Sequence, residues 1–176
     1  MLAGLAGAPC VLTNRTVLLC DPDIPATKQP YHAQMGKLEQ NAATIRKRVR
    51  IIQRAAKKSV SRLLQELRGE GHTIRRAGIV AGSLIEPASI GNLHIRAHAF
   101  EGRLFRVALL DALHVHQLRT FVLLERNAHA EASALLRQPE GKLKETLSEI
   151  GRSQKPWSAN EKLAALAAWM LLAKAR

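Results

Sequence analysis

Apolar residues recur at three- and four-residue steps at Leu38, Ala42, Ile45, Val49, Ile52, Ala56, Val60, Leu63 and Leu67. That spacing lines one stripe of a helix and predicts a helix over 33–68, ended by Gly69 and Gly71. At 1.5 Å per residue it would run to roughly 50 Å, so a break or a projecting end is expected. Shorter apolar runs read as strands: Thr16–Cys20, stopped by Asp21-Pro22-Asp23; Ile74–Ala81; and Phe121–Leu124, ending at Glu125. Pro22, Pro25 and Pro30 make the segment after the first run an extended connector. Gly78 and Gly82 allow close approach to the second strand. A second long helix is predicted over His94–Gln117, then helices over Ala128–Arg137, Lys142–Ile150 and Ala159–Ala173. Ser158 and Glu161 have the spacing of a capping box, which places the start of the last helix. Met1–Leu12 is apolar and small without the basic start of a signal peptide, and reads as a loose end leading into a strand.

The predicted order is β-α-β-α-β-α-α-α. Strands alternating with long helices imply an α/β fold: a small parallel-stranded sheet core with right-handed crossovers, flanked by long helices, and a helix-rich C-terminus. With 176 residues, a single domain is expected. It would comprise a strand and proline-rich connector over 1–32, a basic helix over 33–70, a β-α-β core over 72–126 and a helical part over 127–176.

Charge changes this picture. There are 27 Lys and Arg against 14 Asp and Glu, a net charge of +13 and a pI near 10.7. The excess is concentrated: residues 37–76 carry twelve basic and three acidic side chains, a net +9. Lys47, Arg50, Arg54, Lys57, Lys58 and Arg62 lie opposite the apolar stripe. A cationic helix face can track a phosphate backbone by displacing counterions, whereas the plain alternative is a solvated surface. A membrane-surface helix is disfavoured because no Trp or Phe borders the face. No apolar run reaches the ~18 residues of a membrane span. Cys10 and Cys20 do not make a disulfide framework, and fit buried, reduced thiols in a cytoplasmic protein.

Acids at predicted strand ends are candidate metal ligands: Asp21 after the first, Glu86 past the second and Glu125 at the third. Paired carboxylates can hold Mg²⁺ ions that activate water for phosphodiester cleavage, although such acids also serve as turn formers and caps. His94, His98 and Glu101 share one face of the second long helix. Two histidines one turn apart can ligate zinc, but spacing supplies neither a third histidine nor a cysteine. A polar face, or phosphate contacts alongside Arg96 and Arg103, is the preferred reading. His114 and His116 are explained by the dipole at a helix end. Gly78-x-x-x-Gly82 lacks the Lys-Ser/Thr of a phosphate loop, and no Gly-x-Ser-x-Gly elbow occurs. The pair of helices over 128–150 has the outline of a helix-turn-helix, but Glu140, Glu145 and Glu149 make the second too acidic for a recognition helix.

Several stretches together resemble the RNase H-like superfamily, specifically its RuvC-type Holliday-junction resolvases. Leu18-Leu19-Cys20-Asp21-Pro22 is similar to the first-strand motif. Ser61-Arg62-Leu63-Leu64 through Ala77-Gly78-Ile79-Val80 resembles the helix feeding the central strand. Arg96-Ala97-His98 through Glu101-Gly102-Arg103-Leu104 looks like the next helix, and Lys142–Gly151 with Ala159-Asn160-Glu161-Lys162 like the closing segment. The resemblance implies a nucleic-acid enzyme, a Mg²⁺-dependent nuclease acting on DNA, with Asp21 and Glu161 as metal ligands and Glu86 or Glu125 assisting. Two departures accompany it. The family's glutamate at the end of the central strand falls in Ala81-Gly82-Ser83, and a proline-rich connector replaces the antiparallel strands expected after Asp21. A non-catalytic nucleic-acid-binding module that has lost its metal site, or an α/β protein binding a small anion, are the alternatives. The oligomeric state is left open, a homodimer included.

Overall fold

A computed structural model describes residues 1–5, 8–33 and 36–174. It contains β1 (Leu2–Leu5), β2 (Ala8–Val11), α1 (Ala42–Gly69), β3 (Arg76–Ala81), α2 (Leu93–Val115), β4 (Arg119–Leu124), α3 (Ala128–Leu136), α4 (Glu140–Ile150) and α5 (Ala159–Ala173). The protein is mixed α/β and helix-rich. The chain forms two compact units that alternate along the sequence. One holds Met1–Thr16, Arg76–Gly82 and Thr120–Arg176, and the other Val17–Arg75 and Ser83–Arg119.

In the first unit, β3 and β4 form a two-stranded sheet. The Arg119 amide donates to the Arg75 carbonyl at the start of both strands, and Gly78 faces Phe121 further on. Beginning lies beside beginning, so this pair runs parallel, as the alternation of elements predicts. α5 packs on β3, where a Cβ at Gly78 would lie 3.1 Å from the Ala167 methyl. The core joins Leu123 of β4 to Ala132, Leu143, Leu147, Leu166, Trp169 and Met170. The apolar character of α5 on nearly all sides is explained by this position.

Three expectations fail here. No strand forms over Thr16–Cys20. A strand needs a ladder partner, and this run has none among the described residues: Leu18 is exposed, and its carbonyl accepts from the Ser59 hydroxyl at 2.6 Å. The loose end over 1–12 is instead an antiparallel hairpin, with Leu2 opposite Val11 and Ala3 opposite Cys10. Alternate residues of β2 face outward, which leaves Cys10 exposed rather than buried.

In the second unit, α1 and α2 pack together. Ser61 meets His116 at 2.8 Å near the two C-terminal ends, so His116 has a hydroxyl partner beyond any dipole effect. The buried stripe is Ile52, Ala56, Val60 and Leu67, as the periodicity predicts. α1 starts at Ala42 rather than at 33, because Asn41 caps it by accepting from the amides of Ala43 and Thr44 at 3.0 Å. Before the cap the chain folds back on itself: the Glu39 amide donates to the Tyr31 carbonyl at 2.8 Å, and the Ala33 amide to Lys37 at 2.7 Å. Twenty-eight residues make α1 roughly 42 Å long. Among the described residues, no helix is long and apolar enough to cross a membrane.

Packing in the first unit makes a sharp prediction. Gly151 is buried, and a Cβ there would fall inside the indole of Trp157, whose ring nitrogen donates to the Leu147 carbonyl at 2.9 Å. Gly151→Ala should cost about 1–3 kcal/mol in urea unfolding. Gly141→Ala in α4, where nothing lies within 4 Å of the new methyl, should be neutral or stabilise by about 0.5–1 kcal/mol.

Candidate functional site

Each of the four predicted acids has a place in the structure. Asp21 does not end a strand. Its carboxylate accepts from the Asp23 amide at 3.0 Å, and its backbone is tied to buried Thr27, whose hydroxyl donates to the carbonyls of Asp21 and Ile24. It is a turn former. Glu86 is held by Arg103, whose Nη1 lies 2.7 Å from both carboxylate oxygens. Glu125 opens a short 3-10 turn after β4 and lines a groove of about 550 Å³ with Arg126, His129, Lys144 and Lys162. Glu161 closes the capping box of α5, accepting from the Ser158 amide at 2.7 Å and from its hydroxyl. Asp21 and Glu86 belong to the second unit, Glu125 and Glu161 to the first. Among the described residues, none of the four belongs to a group of three or more side chains able to share an ion.

A different cluster does. Asn92 caps α2 by accepting from the amides of His94 and Ile95, and the helix then sets His94, His98 and Glu101 on one face. The connector brings His32 to them. Tyr31 stacks on Phe100 with ring centroids 5.0 Å apart, and its amide donates to Glu101 Oε1 at 3.2 Å. Burial pushes the Tyr31 phenol up. Arg48 reaches back from α1, donating to the carbonyls of Pro30 at 2.9 Å and His32 at 3.1 Å, and pairing with Glu39 at 3.4 Å.

His32 Nδ1 then lies 2.7 Å from Glu101 Oε1, and His98 Nδ1 lies 3.3 Å from Glu101 Oε2. His94 Nδ1 lies 3.1 Å from the Gly36 carbonyl and 3.4 Å from His32 Nε2. The three rings sit 4.5–5.2 Å apart, centre to centre. One ligand atom from each lies within 4.8 Å of the other two, which makes this a group that can hold a metal ion. His32 and Glu101 are buried, while His94 and His98 are exposed.

The cationic face is present as the periodicity predicts. Lys47, Arg50, Arg54, Lys57, Lys58 and Arg62 are all exposed. Arg62 pairs with Glu66 at 2.8 Å. The other five have no hydrogen bond or ion pair among the described residues. Arg96 and Arg103, grouped with them as phosphate contacts, are engaged elsewhere. Arg96 Nε donates to the Ile90 carbonyl at 2.6 Å, bracing the loop before α2, and Arg103 is taken by Glu86.

The chain matches no family model, no curated protein and no solved structure. His32 is the residue that sequence reasoning missed. It lies 62 positions from His94 in a connector without periodicity. Tyr31 and Pro30 beside it were the available signal, because an aromatic in so aromatic-poor a chain marks a packed point.

The role of Glu161 is testable through acid. Hydrogen bonds from the Ser158 side chain, then from its backbone, hold the Glu161 carboxyl below its ordinary range. A depressed carboxyl pKa contributes stability above the unfolded value and loses it as pH falls through the folded one. Glu161→Ala should therefore lower Tm at about pH 7, with the gap from wild type narrowing as pH falls below the ordinary carboxyl range of about 4.3. A gap set by added Mg²⁺ instead of pH would return Glu161 to the role of metal ligand.

Proposed function

We propose that the protein binds nucleic acid through the phosphate backbone, with the outer face of α1 as the contact surface. The observation that carries this reading is the five exposed cations without a hydrogen-bond or ion-pair partner among the described residues, placed opposite the stripe that α1 buries. Lysines and arginines with no competing carboxylate release condensed counterions when they meet phosphate, and that release drives association. The face has no Phe, Tyr or Trp between 42 and 69, so it lacks the platforms on which unpaired bases stack. A duplex is therefore the favoured partner, DNA in the first instance, bound without reading sequence.

Binding is proposed in preference to cleavage. Three of the acids suited to Mg²⁺ are committed to a turn, an ion pair and a helix cap. Two-metal cleavage needs carboxylates that bridge ions about 3.5–4 Å apart, and nothing in the placement of these residues favours it.

Replacing Arg50, Arg54 and Lys57 by Gln removes charge while keeping helix propensity. The triple variant should bind duplexes of every sequence more weakly, with stability almost unchanged. Its slope of log K against log salt should be shallower by about 2–3 units, at ~0.9 per lost phosphate contact. Titrations at several salt concentrations measure this, and an unchanged slope would make the face a solvated surface.

A further inference from the structure

We propose that His32, His94 and His98 form a binding site for a divalent transition-metal ion of the zinc class, with Glu101 as the group that orients two of the three rings. Tautomers follow from the acceptors. His32 Nδ1 and His98 Nδ1 each face an oxygen of Glu101, and His94 Nδ1 faces the Gly36 carbonyl. Assigning the proton to Nδ1 in each ring leaves Nε2 unprotonated in all three; His94 Nδ1 also lies 3.4 Å from His32 Nε2, so the exposed His94 ring must turn for that lone pair to meet a metal. A metal-bound histidine typically makes this arrangement, donating its other nitrogen to a carboxylate or carbonyl.

Spacing permits closure. Bonds of about 2.0–2.1 Å in a tetrahedral set place ligand nitrogens about 3.3–3.4 Å apart. One ring nitrogen of each histidine already lies within 4.8 Å of the other two, and the exposed His94 and His98 side chains can rotate to bring the ligating nitrogens together. Three imidazoles without a carboxylate in contact suit Zn²⁺, Co²⁺ or Ni²⁺, and not the all-oxygen shells of Mg²⁺ or Ca²⁺. Exposure of His94 and His98 leaves a fourth position open to solvent, for water or an anionic oxygen.

Charge supports the same assignment independently. Glu101 is 6% exposed, and its side-chain partners among the described residues are the imidazoles of His32 and His98, with no Lys or Arg. The nearby arginines are spoken for, Arg48 by carbonyls and Glu39, Arg103 by Glu86. A buried carboxylate needs positive charge beside it, and a dication held by its own imidazole partners supplies it. A metal here would fasten the connector to α2 at His32, nine residues before Asn41, the cap of α1.

Untagged full-length protein, stripped with chelator, should take up one equivalent of Co²⁺. Its visible spectrum should be that of a nitrogen- and oxygen-ligated ion, without the near-ultraviolet thiolate band that Cys10 or Cys20 would add. Zn²⁺ should displace Co²⁺, and excess Mg²⁺ should not. His94→Gln and His98→Gln alter exposed side chains and keep the fold, and each should weaken Co²⁺ binding at least tenfold. Glu101→Gln, compared by circular dichroism for folding, should weaken it about 10–100-fold. Binding that fails to saturate below about 1 mM, a weak affinity, would overturn the proposal. So would stoichiometric binding that survives both histidine replacements.

Discussion

The stripe that α1 buries decides the direction of its charge. Ile52, Ala56, Val60 and Leu67 are the residues of α1 nearly or fully excluded from water, in a helix that packs on α2. Each large side chain so buried contributes about 1.5–3 kcal/mol relative to exposure. With roughly 100° of rotation per residue, a helix anchored on these positions must point Lys47, Arg50, Arg54, Lys57 and Lys58 the opposite way. Turning the cations inward would expose the stripe and bury unpaired charge, and both changes are unfavourable. A local pattern of side chains thus becomes a concentrated cationic surface through packing alone.

Glu101 plays the corresponding part for the connector. Its carboxylate accepts from the Tyr31 amide and faces His32 and His98, while Arg48 holds the carbonyls on either side of Tyr31. The stretch Pro30–His32, in a segment rich in proline, is thereby tied to both α1 and α2. Leaving a buried carboxylate without its hydrogen-bond donors costs about 1–3 kcal/mol or more.

Helix-period signals were legible because many residues vote on each one. The stripe of α1 and the capping box of Ser158 and Glu161 identified their elements, and α5 begins at Ala159 as expected. β3 and β4 were legible as short apolar runs. Thr16–Cys20 misled because a five-residue run carries no information about a ladder partner. The start of α1 was misplaced because Leu38 and Ala42 continue the apolar steps across the cap at Asn41. The acids carried no decisive signal, because Asp, Glu and their neighbours form turns, ion pairs and caps with the same residue types that bind metals. His32 was invisible to spacing, since its neighbours in the cluster lie on a helix more than sixty residues away.

Lysine footprinting with an amine-reactive acylating reagent, with and without duplex DNA, tests the orientation of the cationic face most directly. Lys47, Lys57 and Lys58 are exposed, as are Lys142, Lys144 and Lys155 in the first unit, so all six should react in the free protein. The account predicts that DNA protects Lys47, Lys57 and Lys58 and leaves the other three unchanged. Protection confined to Lys144 and Lys162, beside the groove at Glu125, with the α1 lysines still reactive, would contradict it.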